Sequence, residues 1–493
     1  MPAMTEPAPA RDALLAGTRI TELLIVLLST FQIALYLGIA LQTLAYPYPL
    51  EWMEGGSMDV VERVRRGFPI YTGPTASYVP YIYAPMFFLV AALVTRVTGV
   101  NFFAARLVSF LSICGVLWLI AGFIRREGGG YVASIAGVGL FLSTYEASGR
   151  WFHLARVDSL FLLLLLAGFY VIRFSKGWRA AIFAAVLLWL SFLTKQTALV
   201  VAAVALPIAA VAAPRRAIGI AAVLGVLVLA TNLIMDSRTG GWWRYFMYTL
   251  PLKHPVDFTL ADQFWRVDMA RNVPLALLGA ALLPVLRDRS RSIFYAAFVV
   301  GMLASSFTTR IHTGGWLNDL MPAFAALAIA MPLGVEVAAR TRLTRLAGSI
   351  ALAAQLALPL VFPPGELRPA VPSEADRAAG DRFVAFLRGV DGEVMIWNQR
   401  FVETRAGKKS WGLEMAATDI LRSSDATAKA ALQADIIARV RTKQVAGVVD
   451  PPSWLLQSVH VGRPIELFDN RDVFVPVTGR PERPTRYYPV IQP

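Results

Sequence analysis

The sequence predicts a polytopic α-helical membrane protein: a transmembrane domain over residues 1–362 with about eleven spans, then a small extracytoplasmic α/β domain over residues 363–493. Three observations predict it. Hydrophobic residues make up 56% of the 493 and charged residues only 16%, a balance outside the soluble range. Apolar runs near the length of a bilayer crossing recur between residues 21 and 362. Basic residues gather in alternate short loops between those runs, the pattern of cytoplasmic turns. The excess of 47 Lys and Arg over 33 Asp and Glu is therefore a topology signal, and no nucleic-acid partner is expected.

The elements follow in order. The polar stretch MPAMTEPAPARD lacks a cleavable-signal pattern, so the first run, 21–45, is expected to stay as an anchor with the N-terminus inside. Later runs fall near 103–124, 131–149, 158–174, 180–193, 197–213, 216–235, 272–286, 292–308, 320–338 and 346–362. The basic turns hold Arg125 and Arg126, then Arg173, Lys176 and Arg179, then Arg215 and Arg216. Arg287, Arg289 and Arg291 follow, and last Arg340, Arg342 and Arg345. In the first external loop, residues 57–66 read as a short amphipathic helix opened by Ser57 as N-cap. Residues 80–98 read as a helix lying at the interface, because a crossing there would invert every later basic loop. Cys114 is the single cysteine, so there is no disulfide framework. Beyond Phe362 a Pro-rich linker, PPGELRPAVP, opens a polar tail. There VMIW (394–397) and VAGVV (445–449) read as strands, and 373–388 and 425–443 as helices.

The chemistry-bearing residues collect at the opposite ends from the basic turns. Glu51 and Glu54 lie in EWMEGGS, where Gly55 and Gly56 allow close approach of backbone or substrate. Charged groups at membrane depth are expensive, which favours function, although either acid could merely favour the positive end of the following helix. Asp158 starts an apolar run two residues after Arg156 and five after His153, and has the alternative of a plain helix cap. Lys195 in FLTKQTAL suits a phosphate, or could snorkel to lipid headgroups. RIHTGGWLND (310–319) places Arg310, His312, Asn318 and Asp319 around two glycines before a span, a sugar- or phosphate-contact pattern. The loop 240–255 carries tryptophans that an interfacial aromatic belt explains without a ligand. No zinc or phosphate-loop motif is present, and paired acids on two loops fit a divalent cation or metal-free catalysis equally.

The order of these motifs carries a resemblance. The acidic first loop, Gly67-x-Pro69-x-Tyr71, an interfacial helix, ARLVS (105–109), ARVDSLF (155–161) and FLTKQ together resemble the GT-C membrane glycosyltransferases. The likeness is greater to bacterial members of glycosyltransferase family 39, which includes protein mannosyltransferases and the lipid A aminoarabinose transferase. It covers about the first 235 residues. The resemblance implies an enzyme of the bacterial inner membrane that takes a sugar from a polyprenyl-phosphate donor. It transfers that sugar with inversion, on the periplasmic side, to a lipid, glycan or protein acceptor. It also implies Glu54 as base, Asp158 as the acid of the second external loop, and Lys195 near the donor phosphate. The family's first loop commonly reads Asp-Glu where this chain has Met53-Glu54, which leaves Glu51 as a second candidate base.

Arg156, Arg310 and His312 join Lys195 as expected phosphate ligands, and His153, Tyr71, Asn318 and Asp319 are expected substrate contacts. The alternative from another class is a transporter or flippase, which calls for acids midway through spans and helices broken in symmetric positions. The acids here stand at span ends, and no internal repeat is visible. A third reading is a non-catalytic assembly protein with the tail as a docking module.

Overall fold

The computed structural model describes residues 8–491, apart from 284–287, 365–367 and 413. The apolar runs are helical. They form α1 (Ala8–Thr43), α4 (Phe102–Arg126), α5 (Tyr131–Ser143), α6 (Asp158–Phe174), α7 (Gly177–Phe192), α8 (Ala198–Ala210) and α9 (Pro214–Thr239). Continuing along the chain come α10 (Pro274–Ala281), α11 (Arg289–Arg310), α12 (Met321–Ala338) and α13 (Arg342–Val361). The far end of the expected run 272–286, with Arg287 and the middle of the Pro-rich linker, lies outside the described residues. Among the described residues six helices are long and apolar enough to cross a membrane, and the chain is built as a multi-pass membrane protein. The other runs form helices of 8 to 17 residues.

Between α1 and α4 stand α2 (Glu54–Arg65) and α3 (Met86–Thr98). Helix α2 begins one turn earlier than the sequence suggests, and Ser57 does not cap it. Its N-cap position is Met53, with no side-chain cap bond. Gly55 and Gly56 are already helical, and other groups crowd them where a Cβ would stand: the Arg400 carbonyl on Gly55 and the Tyr81 hydroxyl on Gly56. Only glycine admits such an approach.

The tail contains α14 (Glu374–Gly389), β1 (Val394–Ile396), α15 (Met415–Arg422), α16 (Ala426–Arg441), β2 (Gly447–Val449), β3 (Ile465–Glu466) and β4 (Arg486–Pro489). Its sheet runs β1-β2-β4-β3, with β1 and β2 parallel and the other pairings antiparallel. The two strands and two helices read from the tail's sequence are all present. Phe383, Val394, Ile396, Val449 and Tyr487 form a second apolar cluster that reaches Tyr48 in the loop after α1, while Trp411 and Ile420 join the main core. The tail is thereby seated on the loop that joins α1 to α2.

Candidate active site

The site is organised by an ion pair that motif reading missed. Arg106, inside α4, and Glu54, the first residue of α2, are both fully buried. Arg106 Nε donates to Glu54 Oε1 at 3.0 Å and Nη2 to Oε2 at 2.6 Å. Its remaining N–H groups go to the carbonyls of Thr43, Tyr46 and Tyr48. Each Glu54 oxygen accepts one more bond, from the backbone N–H of Ala155 at 2.7 Å and of Leu50 at 2.6 Å. All five guanidinium donors and the carboxylate's acceptor sites are thus occupied. Burial alone would raise the Glu54 pKa, but Arg106 outweighs it and holds the carboxyl below its ordinary value. This pair ties the end of α1, the start of α2, α4 and the loop before α6 into one knot.

The knot presents a second set of groups whose valences are open. Glu51 is wholly buried, and its Oε2 accepts from the Met53 N–H at 3.1 Å. Its Oε1 has no partner among the described residues. Burial, resisted by Arg156 and reinforced by Glu54, pushes its pKa up to about 8. Arg156 is buried too. Its Nη2 donates to the Tyr83 hydroxyl at 3.0 Å, while Nε and Nη1 have no partner among the described residues. Trp151, Tyr81 and Tyr83 surround the guanidinium at 5.3 to 5.9 Å from their ring centres. A buried Arg with unfilled donors is suited to a planar or tetrahedral oxyanion.

Asp158 is not the cap of α6: the N-cap position is Val157, and the carboxylate looks elsewhere. Its Oδ1 accepts from Lys195 Nζ at 2.7 Å and from Asn318 Nδ2 at 2.9 Å, and its Oδ2 is free among the described residues. Lys195 does not snorkel. It bridges Asp158 and Asp319, at 2.7 and 2.8 Å, with its side chain 9% exposed. Burial alone would lower its pKa, but the two carboxylates outweigh it.

The tail adds a group that the sequence did not signal. Glu414 is fully buried, with both carboxylate oxygens unpartnered among the described residues, and burial holds it well above its ordinary pKa. Its backbone sits at φ 69°, ψ −147°, close to territory used almost only by glycine. A Cβ on Gly56 would lie 3.0 Å from Glu414 Oε2, which places this acid against the start of α2. The tail also covers Glu51. Thr478 pairs with it as a β-bridge, Val477 N–H donates to the Leu50 carbonyl at 2.9 Å, and Thr478 Oγ1 donates to the Gly149 carbonyl at 2.5 Å.

The other expected site residues are engaged differently. His153 Nε2 bonds Thr43 Oγ1 at 2.8 Å, and burial beside Arg106 holds its pKa down to about 3, a neutral structural ring. Tyr71 gives its hydroxyl to the Tyr83 carbonyl at 2.7 Å and packs edge-on against Trp243. Arg310 pairs with Asp268 at 2.9 Å, and His312 bonds the Pro251 carbonyl at 2.8 Å and faces His254. Among the described residues no group of three or more His, Cys, Asp or Glu is arranged to hold a metal ion.

Helices, the segment between α1 and α4, and tail together make a fold shared with solved structures of two other proteins. The chain is similar to ArnT from Cupriavidus metallidurans bound to undecaprenyl phosphate, with a TM-score of 0.59 and 10% identity over 93% of this chain and 97% of that one. The apo state of the same protein gives 0.56 and 11% identity over 93% and 98%. The oligosaccharyltransferase of Archaeoglobus fulgidus, in complex with Zn and sulfate, gives 0.50 and 10% identity over 86% and 67%. No family model matches the chain, and no curated protein matches it.

Proposed function

We propose that the chain is an inverting, family 39-like glycosyltransferase that moves a sugar from a polyprenyl-phosphate donor to a hydroxyl of a lipid, glycan or protein acceptor, at the outer face of a bacterial inner membrane. The observation that carries this reading is the buried Arg156, with two unfilled donors, beside the unfilled Oε1 of Glu51. Glu51 Oε1 takes the proton of the acceptor hydroxyl, whose oxygen attacks the anomeric carbon. The bond from that carbon to the phosphate oxygen breaks, and polyprenyl phosphate leaves with the electron pair. One displacement inverts the anomeric centre. Arg156 accepts the leaving phosphate, and Lys195, held by Asp158 and Asp319, supplies a second positive charge. A pKa near 8 suits a base working at neutral pH.

Glu54 becomes a positioning residue in this scheme, since its acceptor sites are filled. The bound undecaprenyl phosphate of the similar ArnT structure supports the donor class. The test is release of polyprenyl phosphate from a panel of polyprenyl-phosphate pentoses and hexoses, with membrane extract as acceptor. Turnover of one donor, lost in a folded Glu51→Gln variant, is expected. Wild-type turnover in that variant would overturn the base assignment, and no turnover of any donor by the wild-type chain would favour transport.

A further inference from the structure

At the opposite end of α6 from Asp158, Arg173, Lys176 and Arg216 surround a cavity of about 210 Å³ between α6, α8, α9 and α11. Beside these cations its walls include Leu206, Ile220 and Ile293. Arg216 also borders a second crevice of about 450 Å³, between α7 and α9, walled by Trp178, Ile182 and Val223. One guanidinium therefore stands where two apolar crevices meet.

Charge at this end is in excess. Arg173 and Arg291 share Glu127, at 2.5 and 2.7 Å, and Asp288 is occupied in capping α11. Arg216 Nη2 donates to the carbonyls of Val171 and Ser175 at 3.3 and 2.6 Å, and its Nε is buried without a partner among the described residues. Lys176 is exposed, and Arg215 stands beside Arg216 on the second crevice. An ordinary basic turn would be solvated on all sides. Here the cations instead border hollows on α9, an apolar helix long enough to cross a membrane and largely exposed along its length. Gly219, which lines the second crevice, would meet nothing within 4 Å if it carried a Cβ, so the crevice is unfilled at that point.

We infer that this is a binding site for an anionic phospholipid, its phosphate held by Arg216 and Lys176 and its two acyl chains laid in the two crevices. Anion and apolar chains are recognised together, so a free phosphate ion does not suffice. The site is separate from the proposed donor phosphate at Arg156, and stands whether or not that reading holds.

Native mass spectrometry of the full chain, titrated with dioleoylphosphatidylglycerol or dioleoylphosphatidylcholine, tests it. One phosphatidylglycerol per chain should be retained in preference to phosphatidylcholine. Lys176→Gln, whose side chain makes no hydrogen bond or ion pair among the described residues, should weaken that retention about fivefold, and Lys176→Gln with Arg216→Gln about thirtyfold. Equal retention of both lipids, unchanged binding in Lys176→Gln, or displacement of the lipid by millimolar inorganic phosphate would each overturn the inference.

Discussion

Replacing Glu54 with alanine separates the two acids of the first loop. The substitution removes a carboxylate that accepts four hydrogen bonds. Arg106 Nε, one Arg106 Nη2 proton and the N–H groups of Leu50 and Ala155 are left without partners in a fully buried knot. Breaking a buried pair by removing one partner costs about 3–5 kcal/mol, mostly from the charge left behind. Glu51→Gln should be close to neutral, because burial already disfavours its ionised form and its Oε1 has no partner to lose. The assay is equilibrium unfolding in mixed micelles followed by tryptophan fluorescence. A third chain, Glu54→Leu with Arg106→Met, should be more stable than Glu54→Ala, since removing both charges removes the unpaired one. The reasoning is refuted if Glu54→Ala unfolds within about 1 kcal/mol of wild type, or if Glu51→Gln is destabilised as much as Glu54→Ala.

Arg156→Met should raise the donor KM about ten- to a hundredfold through lost charge-assisted bonds, and Arg156→Lys should not restore it, because an ammonium lacks the forked donors; an unchanged KM in steady-state turnover would refute the phosphate role. Glu51, Glu403 and Glu414 all have raised folded pKa values, led by burial, with Glu51 near 8 and Glu403 near 7. The folded chain therefore binds more protons than the unfolded one between the ordinary 4.5 and about 8. Stability conferred by these protons is complete below 4.5 and is lost as pH rises through 7 and 8. Unfolding midpoints should fall across that window, while kcat/KM climbs as Glu51 ionises; a flat pair of profiles would contradict both. Gly55→Ala places a Cβ 2.1 Å from the Arg400 carbonyl oxygen, a backbone atom, so limited proteolysis should cut the tail faster than in wild type.

Much of the fold was legible in the sequence because membrane helices announce themselves by length and apolarity. The chain's apolar runs are helices, and VMIW and VAGVV contain strands. The start of α2 was misread because Ser57 has the chemistry of a cap, while the tertiary approach of Arg400 and Tyr81 to the glycines leaves no local trace. The pairing of Asp158 with Lys195 and Asp319 follows from their shared face, and topology alone put them there. Arg106 lay within ARLVS and was read as a motif letter. Its signal was its position as a charge inside an apolar span, which demands a buried partner. Glu414 carried no signal of this kind, since its burial arises where the tail meets the first loop and no periodicity in the tail encodes that meeting.

The bridge between Glu51 and Thr478 has a consequence in time. Thr478 also holds Gly149, a residue made 329 positions earlier. A ribosome thus finishes the spans and both halves of the carboxylate cluster long before it delivers the segment that seals Glu51 from water. Until then Glu51 lacks that cover, and its acidity is expected to move toward that of an ordinary glutamate. A chain stopped short of residue 477 would keep the Arg106 knot but hold a weaker base beside it, since the burial that raises the proton affinity of Glu51 would be reduced.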